Sequence, residues 1–194
     1  MRDLAWWTLP GLIVAAPLAL FLHAWHIEPS VGVWLPLAPV VGLLLHQSVR
    51  WRFEGDGNGF RNPQRASLAA IIERGNLTGR SNAGDVAYQV YELVFYEQAH
   101  WGAIRDHLHR CWHYVFWFRT IALACAIGAG FALLALLSGG AALMAMLLLL
   151  ALPVFGVLLH QKAEQTLAAL HLFDRGLVTA NWTLYEQKLE SLAK

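Results

Sequence analysis

Charge is what this 194-residue sequence has least of: Asp, Glu, Lys and Arg together make up 14% of it, and none occurs between Thr120 and Leu159. A soluble domain of this length with 57% hydrophobic residues would have too little polar surface to cover itself. The net charge of +1 gives no basic field for nucleic acid and no acidic tail. Cysteine is scarce too, with only Cys111 and Cys125, so a disulfide framework is excluded. No Walker-type loop, Gly-x-Ser-x-Gly elbow, His-Glu-x-x-His or Cys-x-x-Cys pair is present. The glycines of residues 55–59 lack the lysine and the preceding strand that a phosphate loop needs. No acidic residue falls inside an apolar run, which argues against a pump working through an intramembrane carboxylate.

What the sequence does have is apolar length. Residues 116–137 and 141–160 form two uncharged runs, apart from Arg119, separated only by the Ser138-Gly139-Gly140 turn. About 20 such residues cross roughly 30 Å of hydrocarbon as a helix, so each run is long enough. Upstream, residues 9–25 follow Trp6 and Trp7 and lack a small-residue cleavage site, which reads as a retained span rather than a secretory signal. Pro17 is expected to kink it. A further run, residues 31–49, carries Pro36 and Pro39.

The expected fold is therefore all-α: a polytopic membrane protein with four transmembrane helices. Residues 1–49 make a first transmembrane hairpin, 50–113 a cytosolic basic loop and helices, 114–160 a second hairpin, and 161–194 cytosolic C-terminal helices. Arg50, Arg52, Arg61 and Arg65 mark the loop after the second run, while the connectors at residues 26–30 and 138–140 have no Lys or Arg. The positive-inside rule then places both termini in the cytoplasm of a multi-pass inner-membrane protein, with the lipid bilayer as its first partner.

Outside the spans the pattern is helical. Asn62 and Pro63 suit the cap and first position of a helix over residues 64–74 that stops at Gly75-Asn76. Asp85 is expected to cap a second helix that runs unbroken into the third span. After the fourth span the helix continues to Phe173, is interrupted at Asp174-Arg175-Gly176, and resumes at Thr179 or Asn181 as a last amphipathic helix.

An internal repeat underlies this layout. Pro39-Val40-Val41-Gly42-Leu43-Leu44-Leu45-His46-Gln47 recurs as Pro153-Val154-Phe155-Gly156-Val157-Leu158-Leu159-His160-Gln161, with Pro, Gly, His and Gln in register. Two parallel two-span repeats follow, related by an axis along the membrane normal, each with a helical cytosolic extension.

Two constellations carry chemistry. His46 and His160, at the equivalent repeat position, are candidate axial ligands for a haem iron; the plainer account is a pair of span-end imidazoles meeting headgroups and water. Glu97, His100, His107 and Cys111, at offsets of three, seven and four, lie on one stripe of the expected long helix and are candidate ligands for a transition metal. One helix cannot close such a site, and a solvated polar face explains the stripe equally. Within the third span Ala122, Ala126 and Gly130 form one small-residue row and Ala124, Gly128 and Ala132 another, which permits close helix packing. Aromatics at the junction, from Trp112 to Phe118, form an interfacial belt, and Arg119 is expected to snorkel to that level.

The function these features favour is non-enzymatic: an oligomeric subunit or scaffold, in a homo-oligomer or membrane complex, whose cytosolic helices bind a protein partner or gate a conduit. A redox or metal-dependent enzyme using the interfacial histidines is one alternative, and an ion channel proper is another.

Overall fold

The computed structural model describes residues 2–27, 31–54, 65–139 and 142–192. Most of the expected basic loop, with the Asn62-Pro63 helix start, falls in residues 55–64 and lies outside them, as do parts of both turns opposite that loop. The described residues are 91% helical, with no strand among them. In order the chain forms α1 (Arg2–Ala24), α2 (Val31–Glu54), α3 (Arg65–Arg74), α4 (Ala83–Glu97), a 3-10 turn at Ala99–Trp101, α5 (Gly102–Leu137), α6 (Ala142–Ala180) and α7 (Trp182–Leu192).

Among the described residues three helical stretches are long and apolar enough to cross a membrane: Trp6–Ala24, Ala99–Leu137 and Ala142–Ala180. At 1.5 Å per residue each of the last two is about 58 Å long, roughly twice the hydrocarbon thickness, so only part of each fits in lipid. For α6 that part is the uncharged stretch before His160. Only 11% of its most apolar window is buried by the rest of the chain. Leu143, Leu147, Leu150, Val154 and Leu158 are all exposed, which in water would be an aggregation surface and in lipid is ordinary.

Two compact units divide the chain, one comprising Met1–Gly55 with Tyr114–Glu164, the other Asp56–His113 with Gln165–Lys194. In the first unit α1 and α2 pack antiparallel on glycine. A Cβ on Gly11 would collide with the Ala38 carbonyl, and one on Gly42 with the Trp7 carbonyl. Backbones this close are possible only where a side chain is missing. Gly128 of α5 meets the Ile13 carbonyl and Leu152 in the same way, and Gly156 of α6 meets Cys125 of α5. The first helix ends on His26, held at φ 58°, with Ile27 N–H reaching back to the Leu22 carbonyl at 3.1 Å and His26 N–H to His23 at 3.0 Å. This closes the last turn without a glycine. At the junction Trp6 packs on Trp117 and Tyr114, and the Trp117 indole N–H donates to the Trp6 carbonyl at 3.3 Å.

The second unit has its own core, built from Ile71 of α3, Val90 and Val94 of α4, Leu170 and Val178 of α6 and Tyr185 of α7, all almost fully buried. The expected stop after α3 is found: Asn76 sits at φ 51° and Leu77 N–H bonds the Ile72 carbonyl at 3.0 Å. Three sequence expectations are corrected. Asp85 is not the cap of α4; the helix starts two residues earlier, with Asn82 in the cap position and Asp85 in the first turn, where its charge still suits the helix N-terminus. No single helix runs from α4 into α5, because the chain turns extended at Gln98 (ψ 95°) and passes through the 3-10 turn. That break buries Trp101, and the carbonyls it frees, of Phe95, Tyr96 and Gln98, are taken by the Arg105 guanidinium at 2.9, 3.4 and 3.3 Å. Finally, Asp174-Arg175-Gly176 does not interrupt α6, which continues to Ala180. A glycine in mid-helix costs about 1 kcal/mol, which the packing of Leu170, Asp174 and Val178 offsets.

Candidate functional site

Each unit contains a polar cluster away from solvent. In the first, Arg119 is only 8% exposed, and its guanidinium reaches Glu164 of α6 at 2.6 Å, beyond the uncharged stretch. The next residue, Thr120, donates its hydroxyl proton to the Phe116 carbonyl at 2.7 Å. Having one proton, that hydroxyl must accept from His46 Nδ1, 3.1 Å away, so Nδ1 of His46 carries a hydrogen. The His46 ring is buried, 4.5 Å from the Trp7 ring centroid and 6.2 Å from Phe116. His46 thereby joins α1, α2 and α5. His160, its repeat counterpart, is exposed. The two candidate haem ligands thus differ in exposure, His46 buried and bonded to Thr120 and His160 open on the surface of α6.

The metal stripe is divided by the break at Gln98. Glu97 closes α4 and pairs with Lys188 of α7 at 2.7 Å; His100 lies in the 3-10 turn; His107 and Cys111 remain one turn apart on α5, with sulfur and Nε2 at 3.5 Å. Among the described residues no group of three or more His, Cys, Asp or Glu side chains is placed to hold a metal ion. His107 instead lies edge-on to Phe173 and Trp112 packs near His171. The two small-residue rows of α5 also differ. Ala124, Gly128 and Ala132 are buried within the unit, whereas Ala126 and Gly130 are exposed and Ala122 half-buried. Nothing lies within 4 Å of a Cβ on Gly130.

Sequence reasoning missed the second cluster. Ser67 of α3, Tyr91 of α4, Asp174 of α6 and Tyr185 of α7 converge in the core of the second unit, each at most 3% exposed. Asp174 Oδ1 and Tyr185 Oη have no hydrogen-bond partner among the described residues, and the Ser67 hydroxyl lies beside that of Tyr91. Burial pushes the Asp174 carboxyl up to about 7. Burial likewise raises Tyr91 and Tyr185, and the nearby Asp174 charge raises both further. Asp174 lies 14 residues beyond His160, about 21 Å further along α6 and outside the apolar span. No spacing rule could find four residues from four helices; the one available signal was an aspartate at a position where α6 continues in helical register. A cleft of about 220 Å³ between α4 and α7, beside the Lys188–Glu97 pair, is smaller than ordinary ligand pockets of roughly 300 Å³ or more.

No family model, curated protein or solved structure matches the chain.

Proposed function

We propose that the chain is a non-enzymatic, four-span inner-membrane protein whose second unit lies in the cytoplasm, where it binds a protein partner and passes its state to the spans. The observation that carries this is continuity: α5 and α6 each contribute residues to both units, so a change imposed on one unit is covalently linked to the other through two helices. A second unit of fewer than a hundred residues, built around packing side chains, suits docking better than catalysis.

The α2 helix supplies the fourth span, and the two hairpins are parallel repeats. Supporting this, the repeat glycines have matching roles: Gly42 of α2 packs on α1, and Gly156 of α6 packs on α5, each against the preceding helix of its own hairpin. The arginines at 50 and 52 put the second unit and both termini on the cytoplasmic side. Assembly with a second copy or a membrane partner uses the lipid-facing side of α5 at Ala126 and Gly130, where small residues leave room for another helix. Light scattering of the detergent-purified protein, combined with crosslinking in the native membrane, tests this proposal. A multiple of the 21.6 kDa chain mass, or a stoichiometric second protein, is expected. A monomer that crosslinks to nothing contradicts it.

A further inference from the structure

The buried oxygens of the second unit suggest a device that the docking proposal does not use. A carboxylate in a protein interior is ordinarily paired or fully hydrogen-bonded. Asp174 is 2% exposed and has no ion-pair partner among the described residues. Neighbouring cations point elsewhere. Arg175, next in the chain, turns outward to Glu73 at 3.3 Å; Arg74 of α3 reaches the Thr179 carbonyl at 3.4 Å and lies over the Trp182 ring. Lys188 of α7 pairs with Glu97 of α4, and Arg105 of α5 caps the end of α4. The groups near Asp174 are the hydroxyls of Tyr91 from α4 and Tyr185 from α7, with Ser67 of α3 beside Tyr91. Five histidines share this unit, His100, His107, His109, His113 and His171; of these His171 lies one turn earlier on α6 and His107 of α5 packs against Phe173.

We propose that the proton on Asp174 is a latch: while the carboxyl is neutral α7 stays docked on α3, α4 and α6, and when it ionises the packing of α7 loosens. A neutral carboxyl can donate to one of the unpartnered oxygens around it and needs no counter-ion. An anion there must draw in water, and parting α7, whose buried Tyr185 lies near the carboxyl, lets it in.

The direction of the pH response follows. In an opened unit Asp174 titrates near 3.8, its ordinary value, and in the closed one near 7. Between those values opening releases a proton, so opening becomes easier as pH rises. Below about 4 both forms are protonated and the dependence vanishes; above about 7 both are ionised and it levels off. The interval of about three pH units corresponds to an opening constant that rises by at most about a thousandfold.

Hydrogen exchange of the full chain in lipid nanodiscs, compared at pH 5 and pH 8 after correction for intrinsic rates, reads this directly. Amides of Trp182–Leu192 are expected to lose at least tenfold in protection at pH 8, while those of Trp6–Ala24 do not change. Asp174→Asn, neutral at both pH values, is expected to hold the same protection at each. Because imidazoles titrate in the same window, His171→Gln and His107→Gln are measured alongside, and the pH response is expected to persist in both. A flat response in the parent protein overturns the proposal, as does a response that survives in Asp174→Asn or disappears in either histidine variant. If Asp174→Asn does not accumulate, the parent and the two histidine variants decide the matter alone. Since no partner enters the measurement, failure here leaves the docking proposal standing, and the reverse also holds.

Discussion

Replacing Gly42 by alanine adds one methyl group to α2 at the point where it crosses α1, facing the Trp7 carbonyl. The obstacle is backbone, which cannot rotate out of the way as a side chain would. The two helices must therefore separate along their contact, and van der Waals attraction among neighbouring side chains falls as they do. Overpacking of a close contact typically costs about 1–3 kcal/mol, and Gly42→Ala is expected within that range. Gly11→Ala makes the equivalent collision with Ala38, one helical turn away on each helix. A gap opened by the first substitution partly accommodates the second. The double variant is thus expected to lose less than the sum of the singles, with a coupling of about 0.5 kcal/mol or more. Gly130→Ala is the control, because nothing lies within 4 Å of its Cβ and alanine is the better helix former by up to about 1 kcal/mol. Unfolding in mixed micelles, followed by tryptophan fluorescence, ranks the variants, since Trp6 and Trp7 sit on α1 beside this contact. If Gly42→Ala proves as stable as Gly130→Ala, the close α1–α2 crossing is wrong.

Other substitutions probe separate contacts. Glu164→Gln removes the charge facing buried Arg119; because Glu164 is itself 48% exposed, the expected loss is below the range for a fully buried pair, about 1–3 kcal/mol. Adding Arg119→Met to that variant is expected to recover most of the lost stability in the same micelle assay, since no unpaired charge then remains. Arg105→Ala takes the guanidinium from the carbonyls of Phe95 and Tyr96 and leaves Gln98 only the Trp101 N–H, and is expected to destabilise the second unit by about 1 kcal/mol or more. Lysine at the same position should rescue little, because a single ammonium does not reproduce the guanidinium fork; faster amide exchange around the Gln98 break would report both effects.

The all-helical class and the three long apolar helices were legible because they depend only on composition over some twenty residues, which no tertiary contact overrides. The Gly75-Asn76 stop was legible for a similar reason, since Asn tolerates the left-handed conformation that ends α3. The break at Gln98 was not. No proline or glycine stands at it, and it exists because Trp101 gains burial and Arg105, seven to ten residues on, supplies the cap, a spacing that helix periodicity does not announce. Gly176 misled in the opposite sense: by propensity it ends a helix, yet the buried side of α6 holds the chain in register past it. The ion pair of Arg119 was not legible either, because Glu164 is 45 positions away with no periodicity to announce it. The Asp174 cluster shares that property, as it exists only once four helices have been brought together.

The proposed topology puts the uncharged stretches in lipid and the arginine-rich side and the second unit together in the cytoplasm. Cysteine labelling tests it most directly, in a background where Cys111 and Cys125 have been replaced. Arg80→Cys, in the exposed α3–α4 connection, and Ser138→Cys, in the exposed turn after α5, are presented to a membrane-impermeant maleimide in sealed vesicles of each orientation. Position 80 should react only from the cytoplasmic face and position 138 only from the opposite face. Labelling of both from the same side, or of position 80 only from outside the cell, contradicts the account.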